Sequence, residues 1–481
     1  MYHAGQFYID GKWVAPNATR TVPVSNPANE QTIAHVTLAS RTDVDRAVAA
    51  AKAAFETYGA TSIIERMALL ERILDVYARR QDEIADIVSR EMGAPVFIAR
   101  GSHAPQGIAH LRETLAALKT FAFEIQRPTS RIVYEPIGVC GLITAWNWPM
   151  TLIACKVGPA LAAGCTLVLK PSEVAPLCAH LFAEILDEAG VPPGVFNLID
   201  GEGAEAGDAL VRHPDVDMVS ITASNAAGVA VAKAAAPTVK RVTQELGGKS
   251  ACISLDDDDI EATAYASMAR LCRNSGQSCA ALTRLLVPAR FQEEAARGAA
   301  RAASEIVIGD PQAQSTTMGP VVNAAQFARI QRYIETGLAQ GARLVAGGLG
   351  KPAGLTSGHF VRPTVFADVT PDMVIAQEEI FGPVLSIMPY RDEDDAVRIA
   401  NGTVYGLSGA VRSADPRRAQ MIGRRLRTGM VFLTDSPADL GAPFGGYRQS
   451  GNGREWGAHG LSEYLEAKVL VGGAFEDGIF M

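Results

Sequence analysis

The stretch P-I-G-V-C-G-L-I-T-A-W-N-W-P, residues 136–149, decides the fold. Its apolar run Val139–Ile143 is followed by a short polar and aromatic turn, and then by a helical pattern near 151–163. An unbroken apolar run fits a strand covered on both faces, and a strand feeding a helix opens a parallel βαβ unit. Downstream, apolar runs at 166–169, 195–198, 218–221 and Arg241–Glu245 alternate with helical patterns near 177–189, 204–212 and 226–236. A second alternation starts at 250–255 and continues to about residue 440, with helices near 261–272, 292–306 and 324–340. Two α/β domains in series are predicted, with residues 245–249 as the hinge between them.

Upstream, residues 1–40 hold short alternating runs broken by turn residues and read as a small β-meander. Thr42 and Asp45 have the spacing of a capping box, opening a helix with Val44, Ala47, Val48, Ala51 and Phe55 on one face. Ser62 with Glu65 repeats that signal, and Gly93 with Pro95 ends the helical stretch that follows. Residues 463–471 are strand-like and complete a sheet in this chain or in a neighbouring subunit.

A chain of 481 residues exceeds one core, so about three domains are expected. The 44 basic and 52 acidic residues give a net charge of −8, with no electrostatic reason to bind nucleic acid. The longest block of like charge, residues 256–259, reads as a solvated loop. No apolar run is long enough to span a bilayer, and the N-terminus lacks a basic segment before an apolar one. Seven scattered cysteines, with no C-x-x-C and no H-E-x-x-H, argue against a disulfide framework or a metal site. A reducing, cytoplasmic setting fits that usage.

The chemistry concentrates in N-S-G-Q-S-C, residues 274–279, and in V-T-Q-E-L-G-G-K, residues 242–249. Cys279 after a Gly-Gln turn is a candidate nucleophile, and Glu245 a candidate base for a water. A buried packing cysteine is the competing reading; the polar, turn-rich surroundings of Cys279 argue against it. Asn147, after the first strand of the alternation, falls where open α/β sheets bind ligands. It could donate to an oxyanion, or be a turn Asn before Pro149's helix. L-K-P-S-E, residues 169–173, ends the next strand, so Glu173 could accept from ribose hydroxyls and repel a 2′-phosphate, favouring NAD over NADP. Alternatively Lys170 and Glu173 form a solvated pair. Glu379, in E-E-I-F-G-P-V at 378–384, could hold a second ribose with Phe381 against a ring, or sit in an ordinary loop entering a strand. The glycine pattern of a dinucleotide fingerprint is weak at both 201–207 and 222–228. G-G-K-S at 247–250 lacks the first glycine of a P-loop.

Taken together, P-x-G-V…W-N-x-P at 136–149, K-P-S-E, E-L-G-G-K, G-Q-S-C, E-E-I-F-G-P-V and P-F-G-G-Y-R-Q-S-G-N-G-R-E at 443–455 resemble the aldehyde dehydrogenase superfamily in order and spread. The resemblance implies an α/β fold of two Rossmann-like domains with a small β oligomerisation flap. It divides the chain into a discontinuous NAD domain (1–117 and 138–247), a catalytic domain (248–445), and bridging segments (118–137 and 446–481). It implies catalytic roles for Cys279, Glu245, Asn147 and Lys156, with the Cys279 N–H sharing the oxyanion hole. It implies cofactor contacts from Ile143, Thr144, Trp146, Lys170, Ser172, Glu173, Gly203, Ser224, Leu246, Gly247, Glu379 and Phe381. NAD is the implied cofactor, a small aldehyde the substrate, and a homo-oligomer, dimer or tetramer, the assembly.

The implied reaction is hydrolytic oxidation to a carboxylic acid. A CoA-acylating relative, which typically lacks the base glutamate, and a non-redox cysteine esterase are the alternatives. Two positions depart from the family pattern. Ala223 stands where glycine is usual, so the pyrophosphate loop differs slightly or does not need a left-handed turn. Thr434 stands where asparagine is common, which implies a local effect near the substrate entrance. The entrance would be lined by Trp148, Thr151, Leu152, Cys155, Ser278 and residues 435–442. A medium-sized neutral aldehyde, aliphatic or aromatic, is expected there.

Overall fold

The computed structural model describes residues 3–435 and 437–472. Five parallel strands form the centre of an eight-stranded sheet. In spatial order they are Phe196–Leu198, Thr166–Lys170, Val139–Ile143, Met218–Thr222 and Arg241–Glu245. Numbered along the chain this order is 3-2-1-4-5, so the strand order reverses between Val139–Ile143 and Met218–Thr222. Val139–Ile143 is buried along its whole length, which is why its sequence shows no alternation. The helices Pro149–Ala163, Leu177–Glu188 and Asn225–Ala235 fall within a few residues of the expected patterns.

The second sheet has seven strands. In spatial order it runs Arg343–Ala346, Thr364–Ala367, Val384–Tyr390, Leu282–Pro288, Ser250–Ser254, Ser408–Arg412 and Met430–Phe432. Every pairing is parallel except the first, where Arg343–Ala346 runs against its neighbour. The chain passes between the two sheets through Leu246 to Lys249, directly after Glu245. The third sheet is antiparallel, with Leu465–Val471 and Glu124–Gln126 flanking Ser130–Pro136. The strand-like C-terminal stretch is thus paired within this chain. Of the segment 446–481, residues Gly451–Asn452 instead pair with Arg241–Glu245 at the edge of the first sheet. Residues 473–481 lie outside the described residues.

Three local expectations need correction. The N-terminal residues are not one meander. Phe7–Ile9 and Lys12–Val14 extend the first sheet beyond Phe196–Leu198, and only Thr21–Ser25 and Thr32–Thr37 pair apart. The capping box of the helix Arg41–Tyr58 is Ser40 with Asp43, two residues before the expected pair. Asp43 is chosen because it also meets the incoming chain, accepting from the backbone N–H of Asn17 at 2.7 Å and of Ala18 at 3.3 Å. Residues 256–259 are partnered rather than merely solvated: Asp256 pairs with Arg290 and Arg418, and Asp259 caps the helix Ile260–Cys272.

Burial pushes the Asp43 carboxyl up, but hydrogen bonds from Ser40 and Asn17 outweigh it and hold it below the ordinary value. Asp43→Ala leaves these donors unpaired and is expected to cost about 2–4 kcal/mol. A depressed carboxylate contributes stability above its unfolded-state pKa and loses it as pH falls through the lower folded value. The gap in apparent Tm between wild type and Asp43→Ala should therefore be full at neutral pH and narrow only in acid.

Candidate active site

A cavity of about 750 Å³ opens at the carboxyl ends of the first sheet's parallel strands, across the point where strand order reverses. That is the expected ligand position in an open α/β sheet. Its wall includes Ile143, Thr144, Trp146, Asn147, Lys170, Ser172, Glu173, Gly203, Ser224, Leu246, Gly247, Cys279, Glu379 and Phe381. Every expected cofactor residue is therefore on one surface.

Lys170 is no solvated side chain. It is 3% exposed, and its Nζ donates to the carbonyls of Pro171 at 2.8 Å and Gly201 at 2.6 Å. Glu173 stands 3.7 Å from it, so an ammonium and a carboxylate are presented together at one end of the cavity. Ser224, extended at φ −68°, caps the helix Asn225–Ala235, whose N-terminus suits a phosphate group. Ala223 is not among the positive-φ residues, so alanine costs nothing there. Gly203, Ala204 and Gly207 line the cavity from a single π-turn, which explains why their spacing misses the usual fingerprint. At the other end, Glu379 accepts from the Gly248 N–H at 2.9 Å. A Cβ on Gly247 would lie 2.5 Å from the Glu379 carboxylate, so this approach requires glycine. Phe381, at φ +62°, sets its ring edge-on to Trp146 with centroids 5.4 Å apart. Gln326 and Arg329 hold this turn by donating to the carbonyls of Phe381 and Glu379.

The Cys279 loop is tied down from both sheets. Gly276 adopts φ +74°, and a Cβ there would lie 2.0 Å from the Gly382 carbonyl carbon. Gln277 is fully buried and accepts from the Val322 N–H at 2.9 Å. Its backbone oxygen accepts from Asn147 Nδ2 at 3.2 Å and from Asn274 Nδ2 at 3.0 Å. Asn274 Nδ2 also donates to the Asn147 backbone oxygen at 3.1 Å. Asn147 is thereby held beside the cysteine loop with its amide in the cavity wall. Asn274 and Gln277 are positioning residues the sequence reading missed; their signal was two amides just before the cysteine.

Glu245 and Lys156 do not line the cavity. Glu245 lies behind it, 4% exposed, with neither carboxylate oxygen hydrogen-bonded. Burial and the charge of Glu455 push this carboxyl well above the ordinary range, against the opposing charges of Lys156 and Arg454. Lys156 is fully buried and pairs with Glu455 at 2.5 Å while donating to Ser220 at 3.0 Å. Glu455 is a third residue the sequence reading left without a role. A carboxyl of raised pKa, buried next to a matched ion pair, holds its proton more tightly than an ordinary carboxylate.

A further cavity of about 530 Å³ is lined by Ser278, Ala280, Trp148, Gln106 and Arg273, so Cys279 lies between two open volumes. Among the described cysteines Cys279 alone is partly exposed; the other six are buried. Burial, then the charges of Glu379 and Glu245, push its thiol up to about 12. Without added nucleotide, alkylation of Cys279 by iodoacetamide should rise roughly tenfold per pH unit from 7 to 9.5 with no plateau, since only the thiolate reacts. Intact mass should show one adduct, absent in Cys279→Ala.

The family model for the aldehyde dehydrogenase family matches residues 13–470. A 3-succinoylsemialdehyde-pyridine dehydrogenase of a Pseudomonas species is 50% identical over 468 residues, covering 97% of this chain and 98% of that protein. Aldehyde dehydrogenase C of Pseudomonas syringae, solved with NAD+ and octanal, superposes with a TM-score of 0.97 at 50% identity, covering 99% and 98%. Betaine aldehyde dehydrogenase of Staphylococcus aureus, solved with NAD+, gives a TM-score of 0.94 at 34% identity, covering 98% and 96%. With the cysteine loop, the asparagine and the cleft in place, these matches identify the chain as a member of the aldehyde dehydrogenase family.

Proposed function

We propose that this protein oxidises a neutral, medium-sized aldehyde to its carboxylic acid with NAD. The observation that carries the reading is the convergence of Cys279 and Asn147 on the wall of the long cavity, with Glu245 directly behind. The cavity's two ends suit the two riboses of a dinucleotide, Lys170 and Glu173 at one and Glu379 at the other. A carboxylate at Glu173 disfavours a 2′-phosphate, which supports NAD over NADP. The complexes of the Pseudomonas syringae relative with NAD+ and octanal support the same pairing of cofactor and substrate class.

In this reading the Cys279 sulfur, as thiolate, adds to the aldehyde carbon. The carbonyl oxygen becomes an oxyanion held by Asn147 Nδ2 and the Cys279 N–H. NAD, when bound, supplies the hydride acceptor that leaves a thioester on Cys279. Glu245 takes a proton from water, the resulting hydroxide adds to the thioester, and collapse expels the Cys279 thiolate with the acid as product. Lys156 and Glu455 set the charge that Glu245 feels.

NADH formation at 340 nm with an aldehyde panel tests the reading, and Cys279→Ala should abolish it. Asn147→Ala should lower kcat about a hundredfold or more, the usual worth of one oxyanion donor; a loss under threefold removes that role. Glu245→Gln should keep the first-turnover burst of NADH but slow the steady state. Coenzyme A should not divert the product to an acyl-CoA.

A further inference from the structure

The helical run from Val96 to Thr120 is interrupted by a π-turn at Ala99–His103, where the Ala104 N–H donates to the Ala99 carbonyl five residues back. Pro105 is the local cause: it lacks an N–H for the Gly101 carbonyl and its ring crowds that oxygen, so the turn before it opens. Ile98, Ser102 and Gln106 of this run face the second cavity. His103, 1% exposed, meets the cysteine loop instead.

Two contacts hold His103 there. Its ring stacks on Trp148, the residue after Asn147, with centroids 4.0 Å apart and planes 18° from parallel. Its Nε2 lies 3.3 Å from Asn274 Oδ1. The Asn274 amide fits in one orientation, with Nδ2 between the carbonyls of Asn147 and Gln277, because Oδ1 placed there would face two oxygens. Oδ1 therefore faces His103 and needs a donor. Burial pushes the His103 imidazole down to about 3, so at neutral pH it is uncharged and carries a single N–H. Nδ1 is buried with no hydrogen-bond partner, which leaves that proton on Nε2, toward Asn274.

We propose that His103 is a positioning residue for the oxyanion donor: by donating to Asn274 Oδ1 it fixes the amide that ties Asn147 to the Gln277 carbonyl beside Cys279. The inference rests on the aldehyde oxidation proposed above and adds to it a residue that lines neither cavity. Asn147 Nδ2 uses one N–H on the Gln277 carbonyl at 3.2 Å, which leaves its second N–H for the oxyanion. Without the imidazole N–H, Asn274 Oδ1 is a buried acceptor with no donor, so the amide turns and releases both carbonyls. Asn147 then loses its register beside Cys279. Displacing a donor that acts on the oxyanion costs rate rather than ground-state binding.

The test uses His103→Gln, which keeps an N–H donor near the place of Nε2 without the ring, and His103→Phe, which keeps the ring stack without the donor. The readout is kcat/KM for propanal, with the KM for NAD and the melting temperature alongside. His103→Gln should stay within about threefold of wild type. His103→Phe should lose about tenfold, part of what removing an oxyanion donor costs, with the KM for NAD unchanged. In the Asn147→Ala background, His103→Phe should add less than about twofold, because the residue it positions is gone. The same tenfold loss in both backgrounds, a His103→Phe enzyme that matches wild type, or a larger loss in His103→Gln than in His103→Phe overturns the assignment of His103 alone. If His103→Phe does not fold, the smaller His103→Leu, which also lacks the donor, is read in the same way. No NADH from wild type with propanal or any other aldehyde removes the oxidation itself, and the inference with it.

Discussion

The site depends on one side-chain amide. Asn274 Nδ2 bridges the backbone oxygens of Asn147 and Gln277, one on each side of the seam between the two large sheets. The donor set cannot be assembled by either half alone. Asn147 follows a strand of the first sheet, whereas Cys279 precedes a strand of the second. Because Asn274 is 5% exposed, these bonds form in a poorly hydrated place where leaving a carbonyl unpaired is costly. His103 completes the arrangement, its Nε2 lying 3.3 Å from Asn274 Oδ1 while its ring stacks on Trp148. Gly276 sets the remaining constraint, since any side chain there would strike Gly382 in the turn that also carries Glu379 and Phe381. One loop thus sets Cys279, Asn147 and the far end of the cleft relative to each other.

The second constraint is electrostatic. Glu245, Glu379 and Cys279 are close and poorly solvated, and each is pushed toward its neutral form, first by burial. A thiol held high is a weak nucleophile until its proton is taken, and a carboxyl held high is a stronger base once ionised. The shifts therefore share one cause: all three groups lose hydration in the same poorly solvated place. Lys156 tempers this field at a distance, since its own charge is matched by Glu455.

Much of this was legible in sequence for a definite reason. The βαβ alternation could be read because parallel strands are covered on both faces, and their apolar runs survive as blocks between helical patterns. Arg241–Glu245 was located to the residue, and with it the acidic end of the strand. What could not be read was contact across the chain. Ser40 outcompetes Thr42 as the helix cap because Asp43 is recruited by Asn17, a partner 26 residues away. The N-terminal strands join the first sheet because Phe196–Leu198 leaves an edge that only the folded sheet reveals. Asn274 offered only an amide just before the cysteine, and Glu455 no local signal, because each acts on a residue more than a hundred positions distant.

The stretch from Phe444 to Glu455 shows how such distance is resolved physically. Its sequence is rich in glycine and suggests a flexible loop, yet its glycines are places where another backbone or a carboxylate comes close. Gly445 meets Glu245, Gly451 meets the carbonyl of Gln244, and Ser450 donates to the carbonyl of Gly247 at 2.7 Å. Each contact falls on the strand end and turn that carry Glu245, and Glu455 then neutralises Lys156 beneath it. Removing one partner of such a buried pair strands the other's charge, at a typical cost of about 3–5 kcal/mol. The stretch is therefore a back wall for the candidate site: it packs against the strand end that carries Glu245 and sets the charges of Arg454 and Glu455 that its carboxyl feels.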